Sequence, residues 1–272
     1  MAPVASARMS LSRHVTLALA AAAALLVPGA ARADTVADAL PPGAFTDVTS
    51  VVPGVDLDIR YATAHNFTGA PIPGYAEPRC LLTVPTAQAL ARVQAAVAAE
   101  GYRIKIYDCF RPQRSVDAFV RWGRRLHDQR MKAEFYPRVR KSRVFAEGYI
   151  AAKSGHSRGS TLDLSLEPLR GARADGTYRR GQRLVDCAAP QGKRFPDASI
   201  DMGTGYDCFD PLSHPYNGRI TGRQRANRLV LRRAMFAAGF APLATEWWHF
   251  TLRDEPFPDT RFDVPVADAS VR

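Results

Sequence analysis

The feature that most constrains this chain is a pair of polar motifs far apart in the sequence, Ser154-Gly155-His156-Ser157-Arg158-Gly159-Ser160-Thr161-Leu162-Asp163 and Glu246-Trp247-Trp248-His249. Two imidazoles and one carboxylate are what a catalytic zinc needs when its fourth position is left to water, and a nearby carboxylate that is not a ligand can serve as the base. A fold that serves this chemistry must bring both motifs to one place. His156 and Asp163 are seven positions apart with two glycines in the stretch, so this is not the two-histidine helical turn of the His-Glu-x-x-His proteases. Leu162, Leu164 and Leu166 alternate with Thr161, Asp163 and Ser165, which predicts a half-buried strand. Asp163 then projects from its polar face and His156 from the glycine-flanked turn before it. The second motif is rich in aromatic residues and reads as the final strand, residues 246–252. In a regular strand Glu246 and His249 point to opposite faces, so one shared metal requires a bend or a strand end there.

The remaining elements are mixed. Residues 55–61 alternate as a strand, and a Gly- and Pro-rich loop follows over 68–78. Residues 84–100 read as a helix with Leu90, Val93 and Val97 on its core face, Pro85 in the first turn and Gly101 at the stop. Residues 104–107 read as a strand, closed at Arg111-Pro112 because a residue before proline is pushed out of helical geometry. Helices are expected over about 115–126 and over 223–238, the second with Leu231, Met235 and Ala238 on one face. His14, His65, His127 and His214 read as surface or structural residues. No internal repeat or linker divides the chain.

The motif Ser-x-His-x-x-Gly-x-x-x-Asp followed by Glu-Trp-Trp-His resembles the zinc D-alanyl-D-alanine dipeptidases, relatives of the zinc D,D-carboxypeptidases and of the hedgehog signalling domain. The resemblance continues through Asp58-Ile59-Arg60-Tyr61-Ala62-Thr63, Asn66-Phe67-Thr68-Gly69, Tyr107-Asp108-Cys109-Phe110-Arg111-Pro112-Gln113-Arg114, Lys132-Ala133-Glu134-Phe135-Tyr136-Pro137 and Asp201-Met202-Gly203-Thr204. It runs in order over about residues 48–252. It implies an α+β fold, a single domain with helices packed on a small, mostly antiparallel sheet that carries the metal. It implies one zinc per chain on His156, Asp163 and His249, with Glu246 as catalytic base and Arg111 stabilising the transition state. Tyr61, Ser154 and Asp201 become candidate substrate contacts, Asp201 as partner of a substrate ammonium. The implied reaction is hydrolysis of D-Ala-D-Ala to D-alanine by metal-activated water, in a closed site whose buried charges exclude longer chains. Two other readings stand beside it: a zinc D,D- or L,D-peptidase acting on longer peptidoglycan peptides, and a non-catalytic zinc-stabilised module that binds cell wall. Glu246 and Arg111 argue against the second, since zinc binding alone requires neither.

The chain start reads as a secretory signal, residues 1–33. Arg8 and Arg13 precede an apolar run from Val15 to Val27, and Ala31-Arg32-Ala33 offers a small-x-small cleavage site before Asp34. The run is shorter than the roughly 20 residues a membrane-spanning helix needs. Export to the periplasm or beyond the cell is therefore expected, with a role in wall turnover or D-amino-acid scavenging. Residues 34–272 would form one domain, with 253–272 a Pro- and Asp-rich tail of no assigned function. The net charge of +11 falls to +8 once Arg8, Arg13 and Arg32 leave with the signal. A basic surface of this kind can associate with anionic wall polymers, and no nucleic-acid motif accompanies it. Cys80, Cys109, Cys187 and Cys208 all follow the signal. An even count in an oxidising compartment suggests two disulfides, and four cysteines allow three pairings. The preferred pairing is Cys80 with Cys109 and Cys187 with Cys208, the latter tying down the basic insertion over about 167–197.

Overall fold

The computed structural model describes residues 34–171 and 176–271, so the expected signal over 1–33 lies outside the described residues. In chain order the elements are β1 (Thr35–Ala37), β2 (Phe45–Asp47), β3 (Asp56–Leu57), β4 (Leu81–Thr83), α1 (Val84–Ala99), β5 (Tyr102–Asp108), α2 (Gln113–Arg124), α3 (Lys132–Phe135), β6 (Thr161–Pro168), α4 (Gly222–Ala237), β7 (Phe240–Pro242), β8 (His249–Leu252) and β9 (Thr260–Phe262). The main sheet runs β3-β5-β6-β8-β7, with only the β3–β5 pair parallel. Helices pack on this mostly antiparallel sheet in a single α+β domain. Two small two-stranded sheets, β1-β9 and β2-β4, flank it. Among the described residues no helix is long and apolar enough to cross a membrane.

Local chemistry explains the main helices. In α1, Pro85 occupies the first turn, where its missing N–H would have no helical partner, and Leu90, Val93 and Val97 are fully buried. The chain leaves α1 through Gly101 at φ +86°, a conformation that glycine adopts without a Cβ clash. Helix α2 starts at Gln113, two residues earlier than expected, because Pro112 is itself the extended residue that opens it.

Strand β6 corrects the expectation of a half-buried strand. It lies mid-sheet and is buried along both faces from Thr161 to Glu167. The leucines fill the apolar core, and the polar row is covered by the segment after the insertion. Ile200 N donates to Leu166 O (2.9 Å), the Ser165 and Ser199 hydroxyls share a hydrogen bond (2.5 Å), and Tyr206 donates to Asp163. A polar row can be buried when its groups find partners.

Three further boundaries differ from the sequence reading. The strand expected over 55–61 is only β3, after which Arg60–Ala62 winds into a 3-10 turn. The strand expected from Glu246 starts at His249, since Glu246 to Trp248 form a turn, and it is not the last strand. The segment after Arg253 belongs to the domain: β9 pairs with β1, Phe262 and Val266 are buried, and Phe257 stacks on Phe45. Both disulfides form, Cys80–Cys109 and Cys187–Cys208. The second pins the insertion, whose Tyr178 and Phe195 also pack on the buried His65 ring at 4.8 and 3.9 Å between centroids.

Candidate active site

Sheet register builds the centre of the site. The β5–β6 pairing sets Asp108 opposite Asp163, and the β6–β8 pairing sets Asp163 opposite His249. Three polar residues thus stand in a row across neighbouring strands. His156 comes from outside the sheet, on the 3-10 turn Gly155–Arg158, which Ser154 caps by accepting from His156 N (3.3 Å). Gly159 ends that turn at φ +77°, and a Cβ there would strike the Phe45 ring. Because Glu246 sits in the turn before β8, it escapes strand alternation and faces the same space as His249, with Oε2 3.6 Å from Nδ1.

Three potential ligand atoms converge. His156 Nε2 lies 3.3 Å from Asp163 Oδ1, His249 Nδ1 lies 3.1 Å from it, and the two ring nitrogens are 3.2 Å apart. His156 Nδ1 sits 2.7 Å from the Cys109 carbonyl oxygen, which can only accept, so this nitrogen carries the hydrogen and Nε2 presents a bare lone pair. Asp163 Oδ1 is buried and has no hydrogen-bond partner among the described residues. Converging lone pairs beside an unpartnered buried carboxylate oxygen repel one another unless a cation lies between them, and two imidazoles with one carboxylate form a zinc-type donor set. The residues present therefore fit a metal ion.

Around this point lies a cavity of about 280 Å³. Of the residues singled out from sequence, His156, Asp163, His249, Glu246, Arg111, Tyr61 and Ser154 line it. Arg111 is fixed from behind: Nε and Nη2 donate to Asp108 Oδ2 at 2.9 and 2.8 Å, and the guanidinium lies over Tyr61 and Phe119. Its Nη1 faces Ser154 Oγ at 3.5 Å.

Asp201 lies apart from the other candidate residues. Its carboxylate accepts from Arg194 Nη2 (2.8 Å), Gln224 Nε2 (3.0 Å) and Gly203 N (2.9 Å), and it is absent from the cavity wall. The acid of this segment that does line the wall is Asp207, which accepts from the Tyr61 hydroxyl at 2.7 Å and holds a positive φ of 53°. The sequence offered two aspartates six positions apart in one segment, and only the fold separates the turn-former from the one facing the cavity. Asp108 and Tyr206 were also missed. Asp108 anchors Arg111 and accepts from the Tyr75 hydroxyl (2.5 Å), while Tyr206 donates to Asp163 Oδ2 (3.0 Å).

The electrostatics divide the acids. Burial alone would raise Asp163, but His156 and His249 outweigh it and hold the carboxyl well below the usual range. Burial pushes Glu246 up to about 7, with Asp163 adding to the shift and His249 and Arg111 opposing it. Burial also drives Asp207 well above the ordinary value. One acid is thus permanently ionised beside the ring nitrogens, while another is poised to exchange a proton near neutrality.

Comparison with known proteins identifies the family. The family model described as D-ala-D-ala dipeptidase matches residues 43–175 and 168–267. A D-alanyl-D-alanine dipeptidase of Streptomyces coelicolor is 40% identical over 225 residues, 83% of this chain and 99% of that protein. Proteins of the same name from Enterococcus faecium and Enterococcus faecalis are 35% and 34% identical, each across 82% of this chain and 98% of their own length. The matched residues take in every wall of the cavity from Tyr61 to His249, and the chain belongs to the D-ala-D-ala dipeptidase family as a peptidase.

Proposed function

We propose that this chain hydrolyses D-Ala-D-Ala to D-alanine with one zinc held by His156, Asp163 and His249. The observation that carries the reading is the 280 Å³ cavity that gathers this donor set, Glu246, Arg111 and Asp207 around one space. Bound zinc would supply Lewis acidity and bring the pKa of a water down to about 7. Glu246 takes the proton of the attacking water at its carboxylate and delivers it to the leaving amine. The Arg111 guanidinium, held rigid by Asp108, donates to the scissile carbonyl oxygen as negative charge develops there. Asp207, with Tyr61 orienting it, receives the substrate ammonium, whose positive charge offsets the burial that raises this carboxyl and favours its ionised form, and the Ser154 hydroxyl contacts the substrate beside Arg111. A buried carboxylate at the amino end leaves a longer peptide without room or charge balance, which favours a free dipeptide over a peptidoglycan strand.

The test is release of D-alanine from D-Ala-D-Ala by the zinc-loaded protein beside Glu246→Ala of equal zinc content. Turnover in the parent and its loss by about four orders of magnitude or more in the variant is the expected result. Absence of turnover in both would overturn the reading. Export is part of the proposal, supported by the basic start, the apolar run and the two disulfides. Recovery of the protein from cytoplasm with its first 33 residues intact would refute it. Outside the cytoplasm the activity serves wall turnover or scavenging, and the basic surface can hold the enzyme near anionic wall polymers.

A further inference from the structure

The segment after the insertion closes over a second cavity of about 270 Å³, separate from the first and sharing none of its lining residues. At about 30 Å³ per water, that is room for a molecule of amino-acid size. Tyr206 and Trp247 form part of its wall, and each adjoins an acid of the active site in sequence, Asp207 and Glu246. The Tyr206 hydroxyl reaches Asp163, so this ring stands between the two cavities.

Arg194 also lines this cavity, and its side chain is only 7% exposed. Nη2 donates to Asp201 Oδ1 at 2.8 Å, whereas Nη1 has no hydrogen-bond partner among the described residues and is covered by protein, so a ligand in the cavity meets it only once the guanidinium turns inward. Asp197, the acid on the same wall, is already engaged by the Tyr107 hydroxyl (2.8 Å), Ser199 N (3.2 Å) and Arg60 Nη2 (3.5 Å). A buried guanidinium nitrogen is costly to leave unpaired, and its planar fork suits a carboxylate. Aromatic walls beside it suit a short apolar body.

We propose that this cavity is a second binding site, for a small carboxylate whose oxygens pair with Arg194 and whose carbon body lies against Tyr206 and Trp247. The site depends on Arg194, which lies in the loop closed by the Cys187–Cys208 bridge. It does not depend on the substrate of the first cavity. The test is calorimetric titration of the full chain with propionate, and with ethylamine as a control of similar size that lacks the carboxylate. A saturable site for propionate, not shared by ethylamine, is expected. Arg194→Gln should weaken it about tenfold or more, the loss of a charged hydrogen bond. Ile200→Phe, which fills the cavity and spares the Arg194–Asp201 pair, should weaken it likewise and covers the case in which the first variant fails to fold. Loss in either folded variant supports the site. A parent that shows no saturable propionate site, or a site that neither folded variant weakens, overturns the proposal and leaves water as the partner of Nη1.

Discussion

At the residue scale, the two aspartates of the 201–207 segment carry a direct comparison. Asp207→Asn is expected to raise KM for D-Ala-D-Ala by about 10- to 100-fold, the loss of one charge-assisted hydrogen bond, while Asp201→Asn leaves KM near its parent value. Steady-state kinetics of the two variants checks this. Another residue reports on stability. Burial lowers the pKa of His65 from its ordinary 6.5, although Glu134 opposes the shift. Below about pH 6.5 the unfolded chain therefore binds a proton that the folded chain resists, so stability is lost as pH falls through this region and regained as it rises. Urea midpoints at pH 7.5 and 5.5 should fall further for the parent than for His65→Gln, with a difference of at most about 1.4 kcal/mol per pH unit. The ligand-type residues were legible because histidine and carboxylate beside glycine turns carry their chemistry in the local pattern. Asp108 was not legible, because its importance arises from its place across the sheet from Asp163, which no local pattern encodes.

At the scale of elements, the alternation of residues 161–166 identified a strand but not its depth. A polar row suggests solvent, whereas here the segment around Ser199 and Tyr206 supplies the partners instead. The end of the second motif was better constrained, since the shared metal already demanded an interruption between Glu246 and His249. The turn that carries His156 is the most sensitive element. Gly159→Ala places a methyl group against Phe45 at a left-handed φ, so it is expected to cost about 2 kcal/mol or more and to weaken metal binding. Chemical denaturation with metal analysis of the refolded protein measures both effects.

At the scale of the whole molecule, helix and strand periods supported a mixed fold, but they could not foresee that both ends of the domain meet. The β1–β9 pair is a contact between distant segments, and short strands of three residues leave almost no period to read. The two bridges span similar lengths, 29 and 21 positions, and each should contribute about 3 kcal/mol by the chain-entropy argument. They should differ in what else they do. Replacing Cys80 and Cys109 with serine is expected to lower metal affinity as well as stability, whereas replacing Cys187 and Cys208 lowers stability with a smaller effect on metal affinity, passed on through Tyr206; zinc competition titrations on both pairs decide. The reason is that the Cys109 carbonyl orients His156. A chain whose bridge is still open should therefore hold the His156 ring less firmly and, on the zinc site proposed above, bind metal more weakly than the oxidised chain. On the exported route proposed above, the site would then reach its full affinity for metal only in a compartment oxidising enough to close the bridge.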